Sequence, residues 1–93
     1  MDVYPPERNS SGVPSLSKNH HRDPLLIAFG DVIRQARVKQ GISQEQLALL
    51  TGLDRSYMGG VERGDSNVTL LKMHAIAGAL GFSLAELIRK AKL

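Results

Sequence analysis

SQEQLALLTGLDRSYMGGVERG, Ser43 to Gly64, carries two short helical patterns separated by only three residues. Ser43 followed by Gln46 is a capping box: the hydroxyl accepts from the third helical amide and the glutamine returns to the cap amide. It opens a helix over Gln44–Thr51 whose apolar side is Leu47, Ala48 and Leu50, and Gly52 supplies a residue able to turn left-handed and end it. Asp54 is the expected cap of the next helix, Arg55–Arg63, with Met58 and Val61 inward and Gly64 as its terminator. Gly52, Leu53 and Asp54 alone join the two, so the chain must turn sharply, with Leu53 placed to plug the angle.

The same punctuation recurs on both sides. Asp23 can cap and Pro24 suits the first helical position of a helix whose stripe is Leu26, Phe29, Ile33 and Ala36, stopped at Gly41. Thr69 can cap a fourth helix through Leu70, Met73, Ile76, Ala77 and Leu80, ended at Gly81. Ser83 and Glu86 form a second capping box for a fifth, carrying Leu84, Leu87, Ile88 and Ala91. Nothing reads as a strand, so an all-α domain of five short helices around one core is expected over residues 23–93. Its tight central connection suits the turn of a DNA-reading helix-turn-helix and equally the corner of any small bundle.

Residues 1–22 differ in kind. Pro5, Pro6 and Pro14 stand among Asn9, Ser10, Ser11, Gly12, Ser15, Ser17 and Asn19 without apolar periodicity, which reads as a disordered N-terminal tail. His20 and His21 in such a segment read as solvated residues, not metal ligands. The whole chain has 93 residues, room for one small domain, and no cysteine, which removes disulfides and thiolate metal sites. No apolar run approaches the roughly 20 residues of a membrane span, and residues 1–10 lack the apolar region of a signal peptide. A soluble, cytoplasmic protein is the expectation. A net charge of +3 permits a polyanionic partner without demanding one.

Helix three has two glycines in its interior, each costing roughly 1 kcal/mol against alanine. At about 100° per residue, Arg55, Ser56, Gly59, Gly60 and Arg63 cluster opposite Met58 and Val61. The glycines are therefore expected to leave a flat outward surface that lets the helix sit deep against a partner. Direct readout then falls to Arg55, Ser56, Tyr57 and, at the rim, Arg63, because glycine offers no side chain to a base. Arg55 at the helix start is the best base reader, since its fork matches guanine O6 and N7. Ser56 suits a base or phosphate and also an alternative cap. Tyr57 suits the backbone or a thymine methyl, and equally packing on helix two.

The run FGDVIRQARVKQGISQEQLALLTGLDRSYMGGVERGDSNVTLLKMHAIAGALGFSLAEL, Phe29 to Leu87, resembles the Xre family of helix-turn-helix regulators, which includes the phage lambda and Cro-type repressors. Within it, LDRSYMGGVERGDSNVT is similar to the controller proteins of restriction-modification systems. The resemblance implies a five-helix lambda-repressor-like domain that binds duplex DNA sequence-specifically as a homodimer on a palindromic operator, without catalysis. It implies a phosphate contact for Gln44 at the start of helix two, and backbone contacts for Arg63, Asn67 and Thr69 around the loop after helix three. Arg37 and Glu62 match positions that pair in the family, tying the reading helix to helix one. Dimerisation is implied too, and the apolar side of the last helix, Leu84, Leu87, Ile88 and Ala91 with Phe82, is the expected interface.

Other chemistries find little support. His74 lies on the outward side of helix four with no acid or nucleophile at a telling spacing, and no phosphate loop, metal cluster or carboxylate pair is present. No cofactor or small-molecule ligand is implied. Lys39, Arg89, Lys90 and Lys92 read as solvated surface. The rival reading is a protein-interaction module, an antitoxin or adaptor, built on the same fold.

Overall fold

The computed structural model describes residues 22–92, so the tail expected over residues 1–22 lies outside the described residues except for Arg22. Five helices follow in order: α1 (Pro24–Lys39), α2 (Gln44–Thr51), α3 (Arg55–Arg63), α4 (Leu70–Ala79) and α5 (Leu84–Lys90). No strand occurs among the described residues. Each start has the expected local chemistry except one. The Asp23 carboxylate accepts from the Leu25 amide at 2.9 Å, and Pro24 begins α1. Ser43 with Gln46 and Ser83 with Glu86 close both reciprocal pairs of their capping boxes. Thr69 Oγ1 accepts from the Lys72 amide at 3.3 Å.

Asp54 is the exception and corrects the expectation. It stands at the start of α3 in extended backbone but makes no side-chain cap. Its carbonyl begins the helix by accepting from the Met58 amide at 3.0 Å. Gly52 ends α2 at φ 75°, the left-handed value that lets three residues reverse the path into α3.

All five helices face one core, in which Ile33, Leu47, Met58, Ile76 and Leu87 are wholly buried. Full burial of side chains this large stabilises by about 1.5–3 kcal/mol each. α3 packs on both α1 and α2, so the second half of the helix-turn-helix rests on two supports. Close approach to α1 depends on Gly30: a Cβ there would collide with the Val61 carbonyl oxygen and stand 2.7 Å from that of Glu62.

Four apolar residues expected inside or at a dimer face lie elsewhere. Leu50 and Leu70 are exposed, as are their neighbours Leu49 and Leu71, because the inward arcs of these short helices are already filled by Leu47 and Ala48 on α2 and by Ile76 and Ala77 on α4. Leu87 goes the other way and is buried in the monomer, as is Ala91, so the expected dimer face is corrected: these two belong to the core. Phe82, Leu84 and Ile88 remain half-buried at the surface of that end.

Candidate nucleic-acid interface

The two helices of the motif are fastened by a buried carboxylate. Glu62 on α3 has only 2% of its side chain exposed. Its Oε2 accepts from Arg37 Nε at 2.6 Å, and its Oε1 accepts from Arg37 Nη2 at 3.0 Å and from Gln44 Nε2 at 3.0 Å. Arg37 Nη1 donates to the Ile42 carbonyl at 2.9 Å. One guanidinium on α1 thus fixes the carboxylate of α3 and the loop entering α2. The Glu62 hydrogen bond raises the Arg37 pKa further above its ordinary value, against the opposing effect of burial. No buried side-chain polar atom among the described residues lacks a partner, so the junction carries no unpaired charge to destabilise it.

On the outward side of α3, Arg55 and Ser56 are exposed at its N-terminal end. Gln44, at the first position of α2, is held against α3 near Gly59 by its bond to Glu62, with its amide fixed in direction. Tyr57 is half-buried against the core, and the Lys72 ammonium lies 4.6 Å from its ring centroid. Burial pushes the Tyr57 phenol pKa up. Tyr57 thus packs toward the core, with α4 contributing a cation over the ring. Asn67 and Thr69 are exposed in the loop after α3 and at its end, Thr69 serving as a cap.

The glycines depart from the expected flat surface. Gly59 and Gly60 do occupy the outward arc, but both are buried. A Cβ on Gly59 would stand 3.1 Å from Arg63 Nη1 and 3.5 Å from Gln44 Oε1, and one on Gly60 would stand 2.8 Å from Ser66 Oγ. Neighbouring side chains close over them, so the glycines make room within the protein instead of leaving bare backbone outside. Arg63 Nε donates to Asp65 Oδ2 at 2.8 Å, and the Asp65 amide donates to the Gly60 carbonyl at 2.8 Å. The contributions of Asp65, Ser66, Lys72 and Gly30 were not foreseen. Only Gly30 left a signal: a glycine on the apolar side of helix one, between Phe29 and Ile33.

Chain entry belongs to the same corner. The Arg22 amide donates to the Gly64 carbonyl at 2.8 Å, and its Nη1 donates to the Arg63 carbonyl at 2.8 Å and lies 3.7 Å from Asp65 Oδ1. A Cβ on Gly64 would stand 2.7 Å from the Ile27 side chain, so α1 begins tightly against the end of α3. No group of residues able to hold a metal ion occurs among the described residues. Among the same residues no single helix is long and apolar enough to cross a membrane.

The chain is similar in sequence and fold to known proteins. Control protein C.SmaI of Serratia marcescens is 43% identical over 58 residues, 62% of this chain and 69% of that one. Control protein C.BamHI of Bacillus amyloliquefaciens is 40% identical over 65 residues, 69% of this chain and 80% of that one. The crystal structure of the restriction-modification controller protein C.AhdI from Aeromonas hydrophila superposes with a TM-score of 0.65 at 52% identity, covering 67% of this chain and 94% of that one. The Helix-turn-helix family profile matches residues 33–87, from the α1 residue Ile33 to Leu87 in the core. With the short turn, the braced α3 and these matches in agreement, the chain belongs to the Xre-like helix-turn-helix family of DNA-binding transcription regulators, which are not enzymes.

Proposed function

We propose that this regulator binds a palindromic operator in duplex DNA as a homodimer, with α3 in the major groove. The observation that carries the reading is the exposed Arg55 and Ser56 at the start of a helix locked to the scaffold by Arg37 and Glu62. A positive side chain at a helix N-terminus is unfavourable beside the positive end of the dipole. Its retention there suits a residue whose partner is an acceptor-rich base edge. Gln44, whose carbonyl orientation is fixed by Glu62, contacts a backbone phosphate through its remaining amide hydrogen and the exposed amides of the α2 start. Asn67 and Thr69 add backbone contacts beyond the end of α3. Such phosphate contacts set the register while the α3 residues select sequence.

The second copy packs through the α5 end, where Phe82, Leu84 and Ile88 are half-buried. Two-fold pairing spaces the reading helices by about one DNA turn, roughly 34 Å, which is why a palindrome is the expected operator. An operator in front of the protein's own gene and a cytoplasmic site of action belong to the same proposal.

Fluorescence anisotropy against the duplex immediately upstream of the gene, beside a shuffled duplex at near-physiological salt, tests this. A preference of about 10³-fold or more is the expected result. Equal, weak binding to both duplexes that disappears as salt rises would reduce the interaction to phosphate attraction and remove the operator reading for that site. Arg55→Ala should erase most of the preference; a variant that keeps it would dismiss Arg55 as a reader.

A further inference from the structure

Arg63 lies back along α3. Side chains on a helix tilt toward its N-terminus, so a long residue covers those three and four positions before it. For Arg63 those are Gly60 and Gly59. The guanidinium occupies room that their side chains would fill: a Cβ on Gly59 would stand 3.1 Å from Nη1, and one on Gly60 3.9 Å from Nη2. Gln44 Oε1 stands 3.5 Å from the Gly59 point on the α2 side. At the other edge Asp65 Oδ2 takes the Nε hydrogen at 2.8 Å. Nε is therefore engaged, while Nη1 and Nη2 make no hydrogen bond to the described residues and 61% of the side chain is exposed.

We propose that Arg63, laid over Gly59 and Gly60, is a guanine-reading residue at the middle of α3, and that Asp65 is its positioning residue. The inference rests on the reading of α3 as the major-groove helix. Guanine presents O6 and N7 there as paired acceptors that match two donors of a guanidinium. The two terminal nitrogens of Arg63 are such a pair, already held in direction at one end. Lysine offers a point charge in place of the planar fork and cannot reproduce it. The glycines then have a definite role. They form a bed for a side chain sent back from the helix end, which supplies the middle of α3 with a reader that residues 59 and 60 do not provide. A side chain at 59 would lift the fork from its place.

The experiment is selection from a pool of randomised duplex DNA, with the full chain and with Arg63→Lys, Asp65→Ala and Gly59→Ala, followed by anisotropy on the enriched site and its single-base-pair variants. The expected result is one guanine per half-site whose replacement weakens the parent protein about tenfold or more. Arg63→Lys and Asp65→Ala lose that preference and keep the preference at the other positions. Gly59→Ala loses it as well while melting at or above the parent temperature, so instability does not account for the change. If Arg63→Lys keeps every base preference, or weakens all duplexes alike as loss of a phosphate contact would, Arg63 is not a reader and the inference fails while the operator reading stands. If the parent protein enriches no sequence at all, the operator reading fails and takes this inference with it.

Discussion

Two helical glycines that look alike in sequence do opposite things. At Gly30 an added methyl would run into the Val61 and Glu62 carbonyls, backbone atoms that move only with the helix. Gly30→Ala should push α1 from α3 and cost several kcal/mol, about 1–3 for overpacking and more because backbone must shift. At Gly59 the nearest atom is the far end of an exposed, flexible guanidinium at 3.1 Å. Gly59→Ala should therefore gain up to about 1 kcal/mol from helix propensity. Urea unfolding of the two variants checks the pair, and equal signs would contradict the packing described. Arg37 gives a third case. Arg37→Ala strands a carboxylate in the interior and should cost about 3–5 kcal/mol, whereas replacing Arg37 and Glu62 together by apolar residues of similar size should cost far less. If the double variant were the worse, the pair would owe its value to attraction and not to the avoidance of an unpaired buried charge.

At the scale of elements, capping residues set the helix limits, and four of the five starts follow from them. The Glu86 carboxyl is drawn below its ordinary pKa, first by the Ser83 amide and then by the Ser83 hydroxyl. Its folded pKa thus lies below the unfolded one, so ionised Glu86 favours the native helix. That contribution is complete above the usual glutamate value of about 4.3 and is lost as pH falls through the lower folded value. Glu86→Gln should flatten the dependence of melting temperature on pH below about 4.5, where the parent protein loses this contribution. An unchanged acid limb in the variant would show that other carboxylates carry it. In α3, Asp54 fails as a side-chain cap. The sequence could locate the helix start from the break in periodicity, but whether a carboxylate turns back to the amides is a rotamer choice made by its surroundings.

For the whole molecule, the proposed homodimer needs a surface free for the second copy, and burial limits where it can sit. Ile88→Glu should shift sedimentation from dimer toward monomer and weaken operator binding with the monomer fold intact by circular dichroism. Leu87→Glu should unfold the chain instead, because Leu87 is wholly buried. A dimer that survives Ile88→Glu would move the interface away from α5. The exposed Leu71, 81% accessible, marks how much apolar surface this small domain leaves outside its core.

Helix number, order and limits were legible from the sequence alone, because caps, stops and 3.6-residue periodicity act over a few neighbours. So was the resemblance that identified Arg37 and Glu62 as partners. Periodicity assigned Leu50 and Leu70 to the inside, yet only the packed helices decide how wide each inward arc is, and α2 and α4 needed less than the pattern offered. Gly59 and Gly60 were placed on the outward side by angle, but angle says nothing of what lies above them. Arg63 and Ser66 cover them because a two-residue step past Gly64 brings Asp65 and Ser66 back against α3. Local rules wrote the helices; the contact between a guanidinium, two glycines and a loop carboxylate exists only because the tertiary fold returns the chain to that spot.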